Sequence, residues 1–263
     1  MILKRKIYKK LLEWKKECQG KKALLIEGAR RIGKSTICEE FGKSEYKSFL
    51  LIDFAKKDKE VEGYFEKYLN DLDTFFMLLQ THFGTKLTER NSLIIFDEVQ
   101  MFPQARAAIK YLVADGRYDY IETGSLISIR ENVKNIVIPS EERHINMYPL
   151  DFEEFAIALE EDLLVEYIKK CFEKREPLER SMHNQAMLLF HQYMLVGGMP
   201  MPVVTFIESK KDFTEADREK RDILKLYRED IMKIDAKYRS KVLAIYDQIP
   251  GFLSQHEKRV VFK

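Results

Sequence analysis

Cysteine is scarce and scattered: Cys18, Cys38 and Cys171 include no C-x-x-C pair, which excludes a zinc knuckle and a disulfide framework and leaves idle or buried thiols. Histidine offers no metal site either. His183 and His191 stand eight apart, too far along one helix to share an ion, and His82, His144 and His256 show no ligand spacing. No apolar run approaches the roughly 18 residues of a membrane span. The opening MILKRKIYKKLLEWKKE lacks the apolar stretch and cleavage site of a signal peptide. It reads instead as an amphipathic helix with Ile7, Leu11, Leu12 and Trp14 on one side, and the protein is expected in the cytoplasm, with no membrane partner. Excess charge of one sign is missing too: 45 basic against 43 acidic residues leave a net charge of +2, weak support for nucleic-acid binding. There is no internal repeat, no low-complexity segment and no N-K-x-D guanine motif.

What is present is an alternation. Between residues 20 and 125, short apolar runs alternate with longer helical patterns, as in a parallel sheet wrapped by helices. The expected strands are Ala23 to Glu27, Phe49 to Phe54, Leu93 to Asp97 and Tyr118 to Thr123, with a fifth at Arg143 to Leu150. Tyr64, Phe65, Tyr68, Phe75 and Phe76 fall at helical spacing and read as packing rather than a base-stacking platform. From Asp151 the pattern is helical, with Phe152, Phe155, Ala156 and Leu159 on one face and further helices at 162–175 and 179–196. The core therefore ends near residue 150. Gly197 and Gly198, then Pro200 and Pro202, predict a break or hinge. Residues 214 to 247 carry a charged amphipathic helical pattern, followed by a Pro-Gly turn within Ile249 to Leu253.

The segment from Gly28 to Ser35, GARRIGKS, matches G-x-x-x-x-G-K-[ST] and lies directly after an expected strand and before a helix, the setting the motif requires. Gly28 and Gly33 let the backbone curl, so that amides of the loop, Arg31 and Ile32 included, point at phosphate oxygens; the following helix adds the positive end of its dipole. Lys34 reaches the β- and γ-phosphates, Ser35 offers its hydroxyl to magnesium, and Thr36 lies near the α-phosphate. For the side chains of Arg30 and Arg31 two readings stand, electrostatic support or plain exposure.

LIIFDE places Asp97 and Glu98 at the C-terminal edge of a buried strand, where open α/β sheets bind ligands. Asp97 suits the magnesium shell, and Glu98 is placed to polarise an attacking water. With an additional strand between the two motifs and no guanine motif, ATP with Mg2+ is expected rather than GTP. YDYIETGS ends another strand in hydroxyls: Thr123, and Ser125 beside it, read either as sensors of the phosphate or as caps of the next helix.

LKRKIYKKLLEWKKE, GARRIGKST, LIIFDEVQ, IETGS, YPLDFEEF at 148–155 and LVGGMP at 195–200 together resemble the prokaryotic AAA-type ATPases that carry a helical lid, a winged helix and a C-terminal nuclease-like domain. The resemblance implies an α/β P-loop fold with a parallel five-stranded sheet sandwiched by helices over 1–150, a helical lid over 151–205 and the helical start of a winged helix over 206–263. The winged helix is expected to continue past residue 263, and no nuclease role is expected within this sequence. Relatives place Gly-Arg before the last core strand, where this chain reads Pro139-Ser140-Glu141-Glu142-Arg143-His144. Arg143 is then either an arginine for the γ-phosphate, reached within the chain or from a neighbouring subunit, or a surface partner of Glu141 or Glu142. Gln100 fits the DE-x-Q pattern and is expected to help position Glu98. Three functions compete: an ATPase whose turnover moves the lid or appended domains, acting on a DNA or protein partner or as a homo-oligomer; a nucleotide-responsive DNA- or protein-binding module with little turnover; and a small-molecule kinase, disfavoured by the adjacent Asp-Glu.

Overall fold

In a computed structural model, residues 2–125, 140–232 and 234–254 are described. Two compact units divide the chain, Met1–Pro200 and Met201–Lys263. In the first, α1 (Ile7–Cys18) precedes β1 (Ala23–Glu27), and α2 (Lys34–Glu45) leads to β2 (Ser48–Asp53). Then come α3 (Lys59–Lys67), α4 (Leu72–Phe83), β3 (Ser92–Asp97), α5 (Pro103–Asp115), β4 (Asp119–Gly124) and β5 (Glu142–Asn146). The helices α6 (Phe152–Ala158), α7 (Asp162–Lys174) and α8 (Arg180–Val196) complete this unit.

All five strands are parallel, in the order β2-β3-β4-β1-β5. Successive side chains of a strand point to opposite faces, so each strand feeds two cores. On one face Ala23, Leu25, Ile94, Phe96 and Tyr120 pack with Phe65, Phe75, Phe76 and Leu112 of α3, α4 and α5. On the other, Leu24, Ile26, Leu93, Ile95 and Ile121 pack with Leu11, Trp14, Ile37 and Phe41 of α1 and α2. The aromatic stretch is packing, as its spacing indicated: Phe65 meets Phe75 edge-on at 5.0 Å and Phe96 at 5.6 Å. Each such side chain, once buried, contributes roughly 1.5–3 kcal/mol.

Local chemistry sets the helix ends. Asp58, Asp71, Asp151 and Glu179 accept amides of the first turns of α3, α4, α6 and α8, and Asp151 with Glu154 forms a full capping box. Gly197 ends α8, and a β-carbon on Gly198 would stand 2.2 Å from the Leu150 carbonyl oxygen, so the Gly-Gly break also seats the chain against the end of the core. The strand expected to run from Arg143 to Leu150 stops at Asn146. There Met147 N still donates to Glu27 O at 2.8 Å, but Pro149 brings no amide and Leu150 N turns to Gly198 O at 2.7 Å.

The second unit holds α9 (Pro200–Glu208), which starts at the division, α10 (Phe213–Ile231) and α11 (Ala236–Ser254). The helical pattern of 214–247 is carried by two helices, α10 and α11: Asp235 accepts Lys237 N at 2.9 Å and starts the second. The Pro-Gly turn expected near residue 250 is absent, because α11 runs through Pro250 to Ser254. Proline there removes one amide from the ladder and crowds the Tyr246 carbonyl four residues back, a cost the helix bears in its last turns. Arg228 pairs with Asp247, and Tyr246 Oη donates to Leu224 O at 3.3 Å, joining α10 to α11. Among the described residues no single helix is long and apolar enough to cross a membrane.

Candidate nucleotide site

Strand β1 ends at Glu27 and the chain curls before α2 starts. Arg31 at φ 64° and Gly33 at φ 89° both lie in the left-handed region, and these two turns in three residues close the loop. Gly28 is needed for room: a β-carbon there would meet Met147 O at 2.4 Å and Ile32 Cδ1 at 2.6 Å. Ile32 is fully buried and anchors the loop in the α1–α2 core. Gly33 O accepts Ile37 N at 3.0 Å, the first bond of α2.

The Lys34 side chain folds back over this curl, its Nζ donating to Ala29 O at 2.8 Å and Gly28 O at 3.2 Å. Burial lowers its pKa from the usual lysine value, and Arg30 adds repulsion, while Glu98 and Asp97 oppose the shift. A polyanion seated on the loop would relieve that strain on the ammonium.

Sheet order explains how residues far apart in sequence meet. Between β1, which carries the loop, and β3, which carries Asp97, lies β4. Ser35 Oγ donates to Asp97 Oδ1 at 2.9 Å, and Thr123 Oγ1 of β4 donates to the same oxygen. Thr123 Oγ1 also accepts the Glu98 amide at 3.3 Å. One hydroxyl thus ties together both carboxylate residues. Glu98 sits at φ 53°, so the backbone turns sharply where β3 ends, and Gln100 Nε2 donates to its Oε2. Ser125 is buried at the end of β4, and Thr36 and Arg31 are exposed.

The structure brings together Gly28, Ile32, Gly33, Lys34, Ser35, Asp97, Glu98 and Thr123. It does not bring Arg143 to them within the chain. Arg143 is in register with Leu24, four residues before Gly28, or roughly 13 Å back along the sheet. Its Nη1 donates to Glu17 at 2.7 Å, so its partner is neither Glu141 nor Glu142. Among the described residues no group of three His, Cys, Asp or Glu could hold a metal alone. The pair Ser35 and Asp97 still fits Mg2+, which takes one or two protein oxygens and fills its shell with phosphate and water. Cys38 is a buried free thiol held protonated, by burial first and then by Asp97.

Sequence reasoning missed two sets of residues. Arg5, in the basic opening run, reaches Ile32 O at 2.9 Å, and nothing in the run distinguishes it from its lysine neighbours. Arg106 of α5 holds Glu142 with two bonds, at 3.0 and 2.7 Å, beside a fully buried Glu122. The adjacent Glu122 and Thr123 were legible as strand residues, but not which face each served.

A family model described as AAA domain matches residues 20–156, more than half of the chain. No curated protein matches. Among solved structures, a Pyrococcus horikoshii signal transduction ATPase with numerous domains, carrying a tetratricopeptide repeat sensor, aligns over 86% of this chain and 34% of its own, at 17% identity and a TM-score of 0.42. C. elegans PCH-2 aligns over 82% of this chain and 65% of its own, at 12% identity and a TM-score of 0.41. The chain therefore spans about a third of the first and under two thirds of the second.

Proposed function

The chain belongs to the AAA domain family, an AAA-type P-loop ATPase fold, and from that premise we propose that it binds ATP with Mg2+ between the Gly28–Thr36 loop and Asp97 and hydrolyses it with Glu98 as base. The observation that carries the reading is the convergence of Ser35 and Thr123 on Asp97 Oδ1, beside a buried Lys34 folded over a curled loop.

In this reading Lys34 exchanges its two loop carbonyls for β- and γ-phosphate oxygens, which favour the charged form against the burial that disfavours it. Mg2+, when bound, neutralises charge developing on the phosphates; Ser35 and Asp97 are the residues that would hold it. Glu98 orients and deprotonates the attacking water while Gln100 restrains its carboxylate. Thr123 senses the phosphate state through the bond it shares with Asp97 and the Glu98 amide. Residues 151–205 serve as a helical lid whose movement follows turnover, and 206–263, as helices of a winged-helix region, carry the movement to a DNA or protein partner. Arg143 acts on a neighbouring copy in a homo-oligomer. The setting is cytoplasmic.

Nucleotide binding and turnover in two variants test this. Lys34→Ala is expected to lose ATP binding, and Glu98→Gln to bind ATP as the native chain does while turnover falls by about 10² to 10⁴-fold. Hydrolysis by Glu98→Gln at the native rate would falsify the role of base.

A further inference from the structure

Arg5 lies just ahead of α1, and only 6% of its side chain is exposed. Its guanidinium donates to three parts of the chain at once: Nη1 to Ile32 O at 2.9 Å, Nη2 to Tyr148 O at 2.6 Å and Nε to Glu154 Oε1 at 3.2 Å. Glu154 also accepts Lys6 N at 2.6 Å and closes the capping box of α6. A planar guanidinium spreads five N–H groups over three nitrogens and so reaches three separated acceptors at once, whereas an ammonium's three donors radiate from a single nitrogen and lack that fork.

Ile32 precedes Gly33. In a planar trans peptide the carbonyl and the following N–H point opposite ways, so a group that holds the Ile32 carbonyl also aims the Gly33 amide. Gly33 stands at φ 89° with no β-carbon to restrain that torsion, so the bond to the Ile32 carbonyl adds to what the buried Ile32 side chain alone fixes. We propose that Arg5 is a positioning residue for the phosphate loop: by pinning the Ile32 carbonyl it turns the Gly33 amide toward the phosphates, and through Tyr148 and Glu154 it ties that setting to the segment entering α6. The proposal rests on the reading of residues 28–36 as a triphosphate site. Its consequence is that nucleotide affinity depends on the N-terminal segment, which touches no phosphate itself.

The test is calorimetric titration of the full chain with ATP and, separately, with inorganic tripolyphosphate, alongside steady-state turnover. Arg5→Ala is expected to lose about 30-fold in affinity for both ligands, since one charge-assisted amide bond is misdirected, with kcat at saturating ATP within about twofold of native. Arg5→Lys, which keeps the charge and one bond, is expected to lose about 5-fold. Added methylguanidine is expected to restore Arg5→Ala and not Arg5→Lys, a response that general destabilisation would not give. Equal loss on tripolyphosphate assigns the effect to the phosphates; loss on ATP alone overturns the proposal, as does native affinity in both variants. If circular dichroism shows Arg5→Ala unfolded, Arg5→Lys decides, and native affinity there overturns it. A native chain that binds neither ligand overturns the reading of the loop, and the positioning role with it.

Discussion

Two buried carboxylates on neighbouring strands have opposite surroundings. Asp97, at the end of β3, accepts hydroxyl bonds from Ser35 and Thr123. Glu122, one residue before that same Thr123, is fully buried on the other face of β4, and among the described residues no group donates a hydrogen bond to either of its oxygens. Its neighbours are Glu142 and Arg106, and the Arg106 guanidinium is committed to Glu142 by two bonds. Glu142 is in turn approached by His144 at 3.1 Å, and His144 by Glu27 at 3.5 Å. Burial, then repulsion from Glu142, pushes the Glu122 carboxyl well above the usual carboxylate range, with Arg106 opposing. The lesson is that burial alone does not mark a working acid. Donors aimed at one oxygen make Asp97 fit to receive a cation, whereas Glu122, with no donor aimed at it among the described residues, is pushed toward its neutral form and serves the packing under the sheet.

The contrast can be broken at Asp97 first. Asp97→Ala leaves the hydroxyls of Ser35 and Thr123 without their acceptor and removes the proposed Mg2+ ligand, so turnover is expected to fall on the order of 10³-fold. A fall of less than tenfold in initial-rate assays at saturating Mg2+ would place the metal elsewhere. Thr123→Val, nearly the same shape, removes the donor to Asp97 and the acceptor of the Glu98 amide. Turnover is expected to drop about 10-fold, and a valine variant as fast as native would leave the threonine a packing residue.

Glu122→Gln should do least to activity, leaving turnover within about twofold, yet it should change how stability depends on pH. With its folded pKa raised above the ordinary 4.5, the native chain holds this proton when folded and gives it up when unfolded. Its stability contribution is therefore complete below about pH 4.5 and declines as pH rises toward the folded value. Glutamine carries no such proton. Thermal unfolding across pH 5 to 8 is expected to show the variant gaining on the native chain as pH increases, and parallel curves would mean that Glu122 is charged in the fold.

Much of the architecture was legible in the residues. The alternation of apolar runs with helical patterns located all five strands, and α7 and α8 end within a residue of their expected bounds. The glycine spacing in Gly28–Ser35 demanded a curl, and two left-handed residues provide it. Less legible were features that depend on a distant partner. The last strand ended early where Pro149 brings no amide and Gly198 takes the Leu150 amide, and α11 runs on past Pro250 although the proline lacks an amide and crowds the preceding turn. Arg143 matched a pattern, yet its register with Leu24 and its bond to Glu17 keep it from the loop of its own chain.

The sequence by itself determined the local chemistry of this protein: where the backbone must turn left-handed, which strand ends in two acids, and which residues carry hydroxyls and an ammonium. Those are properties of side-chain type and spacing within a few residues. Only the tertiary structure decided that β4 lies between β1 and β3, so that Thr123 bridges Asp97 and the Glu98 amide, that Glu122 faces away from them, and that Arg5 closes on the Ile32 carbonyl. Strand order and long-range hydrogen bonds join residues 26, 27 or 62 positions apart, and no short-range pattern encodes which of many similar groups will meet.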